Sequence, residues 1–280
     1  MKKIIVIAVL LCSGLYTVTA QTTRLMSYNL RLDVKSDGEN QWSLRKDRLV
    51  GLLKFYSPDF VGVQEALPHQ MQYIDSSLIT YGYIGKGRDD GKEQGEFSAI
   101  FYNKDKFKLL DNATFWLSEH PDQVSMGWDA AYKRVCTYGL FQDKATKKKF
   151  YVFNTHFDHV GDVARIKSAQ LIIEKIKAIN TQNLPFFLSG DFNLESDSAP
   201  IQYIASQLND SKAVAELVYG PAGTFNNFEF TKPVTMRIDY IFTTKKGITV
   251  KKYAVLSNSD QCKYPSDHFP VLIDVEWNKK

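Results

Sequence analysis

The sequence predicts an α/β (α+β) fold in which two β-sheets pack face to face with helices outside them. Three observations carry this expectation. Apolar runs of strand length alternate with segments of helical periodicity. The same alternation recurs in the second half of the chain. No linker, low-complexity tract or charge block separates the halves, so residues 21–280 read as one domain.

Residues 1–20 stand apart from that pattern. Lys2 and Lys3 precede an apolar run at 4–11, and Val18-Thr19-Ala20 supplies a small-residue cleavage site, the layout of a secretory signal peptide. The run is too short to span a bilayer. Leu11 precedes Cys12, where a lipoprotein signal needs a small residue. An exported protein, periplasmic or secreted and without a transmembrane segment, is expected.

In the mature chain the first strand is expected at 24–30. Ser43 is placed to cap a helix whose Leu49, Leu52, Leu53 and Tyr56 recur at helical spacing. A buried strand at 60–64 follows, then a helix after Pro68 with Met71, Ile74 and Leu78 on one side. A Gly-rich connection leads to extended runs at 98–102 and 114–117. Residues 134–142 and 149–155 read as paired strands, with Lys147-Lys148-Lys149 at their solvated turn. A helix at 162–180 carries Ile166, Ala169, Leu171, Ile172, Ile173 and Ile176 on its apolar side. A strand at 185–189, a short helix at 200–208 and strands at 238–242, 250–256 and 271–275 complete the series.

Composition narrows the function. Removing Lys2 and Lys3 from the 35 basic residues leaves 33 against 31 acidic ones, a balance near +2. Tight binding to nucleic acid relies on dense Lys and Arg contacts to phosphates, so nucleic acid is a possible partner that the charge does not support. Cys136 and Cys262 remain after export. One disulfide and two buried thiols are equal alternatives for them. A monomer is expected.

Six polar clusters sit at the ends of strand-like runs or close beside them. They are Ser27-Tyr28-Asn29, Gln64-Glu65, Asn154-Thr155-His156-Phe157-Asp158-His159, Gly190-Asp191-Phe192-Asn193, Arg237-Ile238-Asp239-Tyr240 and Ser266-Asp267-His268. A packed core has no use for so many ionisable groups, because burying them unpaired is costly. Gly190 is expected to let the backbone turn sharply before Asp191 and Asn193. A carboxylate at Asp191 can take a proton from water, and the Asn193 carboxamide can orient that water or a phosphate oxygen. Glu65 with Asn29 suits the sparse oxygen shell of magnesium. His156 and His268 each lie beside an acid, which raises imidazole basicity and fixes its orientation. Taken singly, each has a plain alternative as a turn residue, a solvated strand end or a satisfied histidine. His69, His120 and His159 lack comparable contexts.

In this order the six clusters resemble the endonuclease/exonuclease/phosphatase family, over residues 24–276. That superfamily includes deoxyribonuclease I-like nucleases, abasic-site endonucleases, deadenylases, inositol polyphosphate phosphatases and bacterial sphingomyelinases. The resemblance implies a four-layer sandwich, two mixed sheets flanked by helices. It implies that Glu65 holds a divalent ion, Mg²⁺ with Mn²⁺ or another ion as the alternative, with Asn29 and Asp267 nearby. It further implies that Asp191 activates water, Asn193 holds it, and His268, oriented by Asp239, stabilises charge on the phosphorus oxygens with His156.

Some positions depart from particular branches. Arg31 stands where abasic-site nucleases carry an acid. It is a candidate phosphate contact, with an ion pair to Asp33 or Glu39 as the alternative. Asp158 and Arg134 are further candidates for the substrate side, Arg134 with a structural salt bridge as its alternative. Trp42, Arg45 and the stretch around Trp116 and Trp128 resemble exported bacterial members, and the two later tryptophans are candidates for contact with lipid, with core packing as the equal alternative. The function implied is a Mg²⁺-dependent phosphoric-ester hydrolase, a phosphodiesterase before a phosphomonoesterase. A secreted nuclease on DNA or RNA is one alternative, and a non-catalytic module binding a phosphorylated ligand is another.

Overall fold

The computed structural model describes residues 22–278. The proposed signal sequence lies outside the described residues. From the N-terminus come β1 (Thr22–Asn29), a 3₁₀ turn (Lys35–Asn40), α1 (Trp42–Tyr56), β2 (Phe60–Ala66), α2 (Pro68–Ser77), β3 (Tyr81–Ile84), β4 (Phe97–Asn103) and β5 (Phe107–Trp116). Then follow β6 (Val135–Asp143), β7 (Lys149–His156), α3 (Asp162–Ile179), β8 (Phe186–Asp191) and α4 (Ala199–Gln207). Last are β9 (Asn209–Asp210), α5 (Ser211–Val214), β10 (Leu217–Tyr219), β11 (Asp239–Thr243), β12 (Ile248–Val255) and β13 (Val271–Trp277).

The strands form two mixed sheets, ordered β10-β12-β13-β1-β2-β4-β3 and β5-β6-β7-β8-β11-β9. Alternation along each strand sends successive side chains to opposite faces. Three apolar layers result. Met26, Val61 and Val63 pack under Leu49 and Leu53 of α1 and Met71 and Ile74 of α2. Phe153, Leu188 and Phe242 pack under Ile172 and Ile176 of α3 and Ile201 and Ile204 of α4. Between the sheets lie Leu25, Phe60, Phe150, Val152, Phe187 and Ile241. The protein is therefore the four-layer sandwich expected.

The inner faces change character along their length, and that change positions the site. Two residues beyond Phe60, Val152 and Phe187 come Gly62, Asn154 and Ser189. These last three meet between the sheets. A Cβ on Gly62 would lie 2.5 Å from both Asn154 Oδ1 and Ser189 Oγ. Asn154 Nδ2 donates across to the carbonyls of Val63 (2.8 Å) and Ala99 (2.9 Å), and Gln64 Nε2 donates back to Asn154 Oδ1 (2.7 Å). These directional bonds lock the two sheets in register just before the cavity. Two residues further on stand His156 and Asp191.

Several local expectations are corrected. The residue capping α1 is Gln41, with no side-chain cap bond among the described residues, and Ser43 lies inside the helix. Ile166 is exposed, and α3 instead buries Ala164 and Ser168 beside Ala169. Gly190 continues β8 without a turn. Its missing Cβ admits the Thr155 carbonyl oxygen, which would lie 2.4 Å from that atom. Trp116 is buried, with its indole N–H donated to the Arg88 carbonyl (2.8 Å). Cys136 is buried in the second sheet and Cys262 is exposed; both are free thiols. Among the described residues no helix is long and apolar enough to cross a membrane.

Candidate active site

Polar strand ends from both sheets converge on a cavity of about 550 Å³. The first sheet contributes Asn29 from β1 and Glu65 from β2. The second contributes His156, Asp191 and Asp239 from β7, β8 and β11. The loop before β13 adds Asp267 and His268. The pairing of β2 with β4 slips between Val63 and Ala66, and Glu65 sits at φ 64°. Such a bulge re-aims a side chain, and here Glu65 lines the cavity wall. Asn193, at φ 52°, makes a similar departure after β8. Left-handed backbone is costly for a side-chain-bearing residue and is concentrated at functional sites.

Asp191 is the centre of the constellation. Its Oδ1 accepts the Asn193 backbone N–H (2.9 Å) and its Oδ2 accepts from Asn29 Nδ2 (2.9 Å). Burial, and then the neighbouring Asp239 carboxylate, push it up to about 7, against the opposing pull of His268 and these two donors. A carboxyl so placed takes a proton efficiently near neutral pH. His268 Nδ1 donates to Asp239 Oδ2 (2.8 Å), and its Nε2 points toward Asp191 Oδ2 at 3.8 Å. Burial alone would lower His268, but the Asp239 charge and hydrogen bond outweigh it and hold the ring well above its ordinary value. Pairing with Asp239 thus favours the imidazolium form of His268, whose Nε2 is left to meet an anionic oxygen.

His156 is tuned the other way. Burial first, then Arg134 and Arg88, hold it well below the ordinary imidazole value. The ring is neutral, and Nε2 accepts from Asn193 Nδ2 (3.1 Å), a nitrogen that also donates to the Phe157 carbonyl (3.0 Å). Both amide hydrogens of Asn193 are therefore engaged, and its Oδ1 is the atom suited to accept from water.

The cavity also carries a donor set that fits a divalent cation. Ligand atoms of Glu65, His156 and Asp191 lie within 4.8 Å of one another. Asp267 is pushed up to about 6 by burial and by Glu65, with His268 and Arg31 opposing. A buried carboxyl raised by a neighbouring carboxylate is relieved by a bound cation. Asn29 differs from the expected ligand. Its oxygen accepts the Arg31 N–H (2.9 Å), while its nitrogen bonds Glu65 Oε1 (2.9 Å) as well as Asp191. It ties two carboxylates together across the sheets.

The remaining candidates are placed as follows. Arg31 lines the cavity but pairs with Asp37 (2.8 Å) and approaches Asp267 (3.7 Å), whereas Asp33 bonds His69 and Glu39 bonds Lys263. Arg134 lines the cavity and donates to Asp158 Oδ1 (3.3 Å). Asp158 is buried, and the backbone N–H groups of Gly161, Ala131 and Val160, with Arg134, outweigh burial and hold it down to about 2. Nine further wall residues were not among the candidates: Leu32, Arg88, Glu96, Tyr132, His159, Phe225, Asn227, Met236 and Ile238. The one sequence signal was the Gly-rich stretch 85–95 around Arg88. Beneath the loops, Arg45 is 1 % exposed and donates to the carbonyls of Leu30 (2.5 Å), Arg31 (2.6 Å), Asn40 (2.9 Å) and Pro265 (3.0 Å). It binds the backbone beside Asn29 to the backbone beside Asp267.

The model of the Endonuclease/Exonuclease/phosphatase family matches residues 26–268. A crystal structure of a family protein from Bacteroides thetaiotaomicron is 38 % identical, with a TM-score of 0.89 over 93 % of this chain and 100 % of that one. The mannosyl-6-phosphatase of Bacteroides thetaiotaomicron VPI-5482 is 39 % identical, with a TM-score of 0.88 over 91 % of this chain and 100 % of that one. An uncharacterised protein of Acanthamoeba polyphaga mimivirus is 31 % identical over 162 residues, 55 % of this chain and 60 % of that one. This chain spans about half to three fifths of the length of that relative and of the next two curated relatives it matches.

Proposed function

Because the chain belongs to the endonuclease/exonuclease/phosphatase family, we propose that it is an exported, Mg²⁺-dependent hydrolase of a small phosphoric ester, a sugar phosphate above all. The observation that carries the reading is the opposite tuning of Asp191, poised to accept a proton, and His268, held as a cation, across one cavity. A monoester and the diester favoured from sequence both suit these groups. The 39 % identity with a mannosyl-6-phosphatase supports the monoester.

Glu65 and Asp267 would hold the ion, whose bound charge offsets that of the phosphoryl group. Asp191 takes a proton from the attacking water, which Asn193 Oδ1 orients. The water oxygen bonds to phosphorus as the opposite ester bond breaks. His268 Nε2–H donates to a non-bridging oxygen, and Asp239 keeps that imidazole charged and aimed. Neutral His156 holds the Asn193 amide in place.

The test is hydrolysis by the mature protein of mannose 6-phosphate, bis(p-nitrophenyl) phosphate, plasmid DNA, RNA and sphingomyelin, with Mg²⁺ and with EDTA. The expected result is Mg²⁺-dependent release of phosphate from mannose 6-phosphate, lowered roughly 10²–10⁴-fold in Asp191→Ala. Turnover of nucleic acid or sphingomyelin in place of the monoester overturns the substrate, and activity that survives in Asp191→Ala overturns the mechanism.

A further inference from the structure

One wall of the cavity carries charged groups that the hydrolytic step does not use. Arg88 Nη1 bonds Glu96 Oε2 (2.7 Å), and Arg134 bonds Asp158 Oδ1 (3.3 Å) and His159 Nδ1 (3.2 Å). Both guanidiniums stand over the Tyr132 ring, at 5.2 and 5.9 Å from its centroid, and that ring is 52 % exposed. Arg88 and Arg134 are more than nine-tenths buried. Arg88 Nε and Arg134 Nη1 have no hydrogen-bond partner among the described residues. Unpartnered buried arginine nitrogens also occur at Arg48, Arg165 and Arg237, and Arg88 and Arg134 are set apart by lining this cavity.

The charge balance of the wall says what kind of ligand. Each arginine is matched by a carboxylate, half-buried Glu96 or buried Asp158, so the wall adds no net charge. A subsite for a second phosphate or a carboxylate would carry surplus cations. Paired donors and acceptors beside an aromatic ring suit a group with several hydroxyls, each able to donate and accept, and apolar C–H faces between them. The wall also lies at the right place. Glu96 Oε2 is 3.8 Å from His156 Nδ1, and His156 Nε2 is 3.5 Å from Asp191 Oδ2, so it begins one imidazole away from the base.

We propose that Arg88, Glu96, Tyr132 and Arg134 form the leaving-group subsite and select an uncharged polyhydroxylated leaving group, a hexose ring. The inference rests on the phosphoric-ester hydrolase reading above. On cleavage the sugar oxygen keeps the electron pair of the broken phosphorus–oxygen bond and takes one proton from solvent water, leaving as the free hydroxyl, while Asp191 returns the proton of the attacking water to solvent.

The experiment compares kcat/KM for mannose 6-phosphate and for p-nitrophenyl phosphate, which has no hydroxyls on its leaving group, in wild type, Arg88→Met and Tyr132→Ala. Tyr132 is half-exposed, so its variant keeps the test intact if loss of Arg88 harms folding. In each variant the mannose-to-aryl ratio is expected to fall at least about tenfold, chiefly through a higher KM for the sugar ester. An unchanged ratio in both variants overturns the subsite. Wild-type cleavage of the aryl ester but not of the sugar ester overturns the leaving-group class while the hydrolase reading stands. Cleavage of neither overturns the leaving-group class, and the hydrolase reading falls with it only if bis(p-nitrophenyl) phosphate is also left intact.

Discussion

At the scale of single residues, the site works by setting neighbouring ionisable groups apart. Asp191 and His268 face each other across 3.8 Å, yet the acid is raised toward neutrality and the imidazole is held charged. Asp239 acts on both, which makes it the residue to test. Asp239→Asn removes the charge that raises His268, so the imidazolium loses its proton at lower pH. The alkaline limb of the kcat/KM profile is expected to move to lower pH in that variant, with the maximum reduced. A pH–rate profile checks this, and an unmoved alkaline limb excludes His268 as the charged group. The strand-end residues were legible in the sequence because each follows an apolar run and all recur in a fixed order. Arg88, Glu96, Tyr132 and His159 were not. They lie in loops, and only the folded connections bring them to one wall.

At the scale of elements, strand identity was more legible than strand extent. Periodicity located the apolar centres, but β5 begins at Phe107, seven residues before the expected run, because its outer half pairs with β6 while its side chains face solvent. β3 went unseen for a similar reason: it is four residues long and only its first and last are buried. The inner faces show how elements set chemistry. β2, β7 and β8 each pass from an aromatic or aliphatic residue, through a small or polar one, to the end that borders the cavity. Gly62→Ala should disturb that passage by pushing a methyl group against Asn154 and Ser189, costing about 1–3 kcal/mol of stability and lowering kcat. Gly51→Ala in α1, where an added Cβ meets nothing within 4 Å, is the control and should be neutral or stabilising by roughly 0.5–1 kcal/mol. Denaturant unfolding and turnover measured on both variants decide it. Equal stability of the two would mean that the sheets adjust freely to each other.

At the scale of the whole molecule, the sandwich holds its carboxylates under electrostatic tension. Asp191 and Asp267 are raised to about 7 and about 6, above their unfolded values. A carboxyl raised by folding binds its proton more tightly in the folded state. Its favourable contribution is therefore complete below about pH 4 and is lost as pH rises through 6 and 7. In EDTA the thermal midpoint should thus be lower at pH 8 than at pH 6. Mg²⁺ should raise the midpoint more at pH 8, where a cation takes over the role of the proton. Differential scanning calorimetry at the two pH values checks this. A midpoint insensitive to Mg²⁺ at both would remove the ion from the site. Opposed tuning of this kind arises from tertiary burial, which is why the sequence showed which residues assemble and not how their protons are shared.

The order of strands in the first sheet also sets a schedule. β1 lies between β2 and β13, with Thr22 opposite Glu276 and Ser27 opposite Val271. The earliest strand of the sandwich thus waits for the latest, and non-local pairings of this span form slowly. Asp267 and His268 arrive only with that final segment. A growing chain therefore lacks a complete cavity until the residues through β13 have been made.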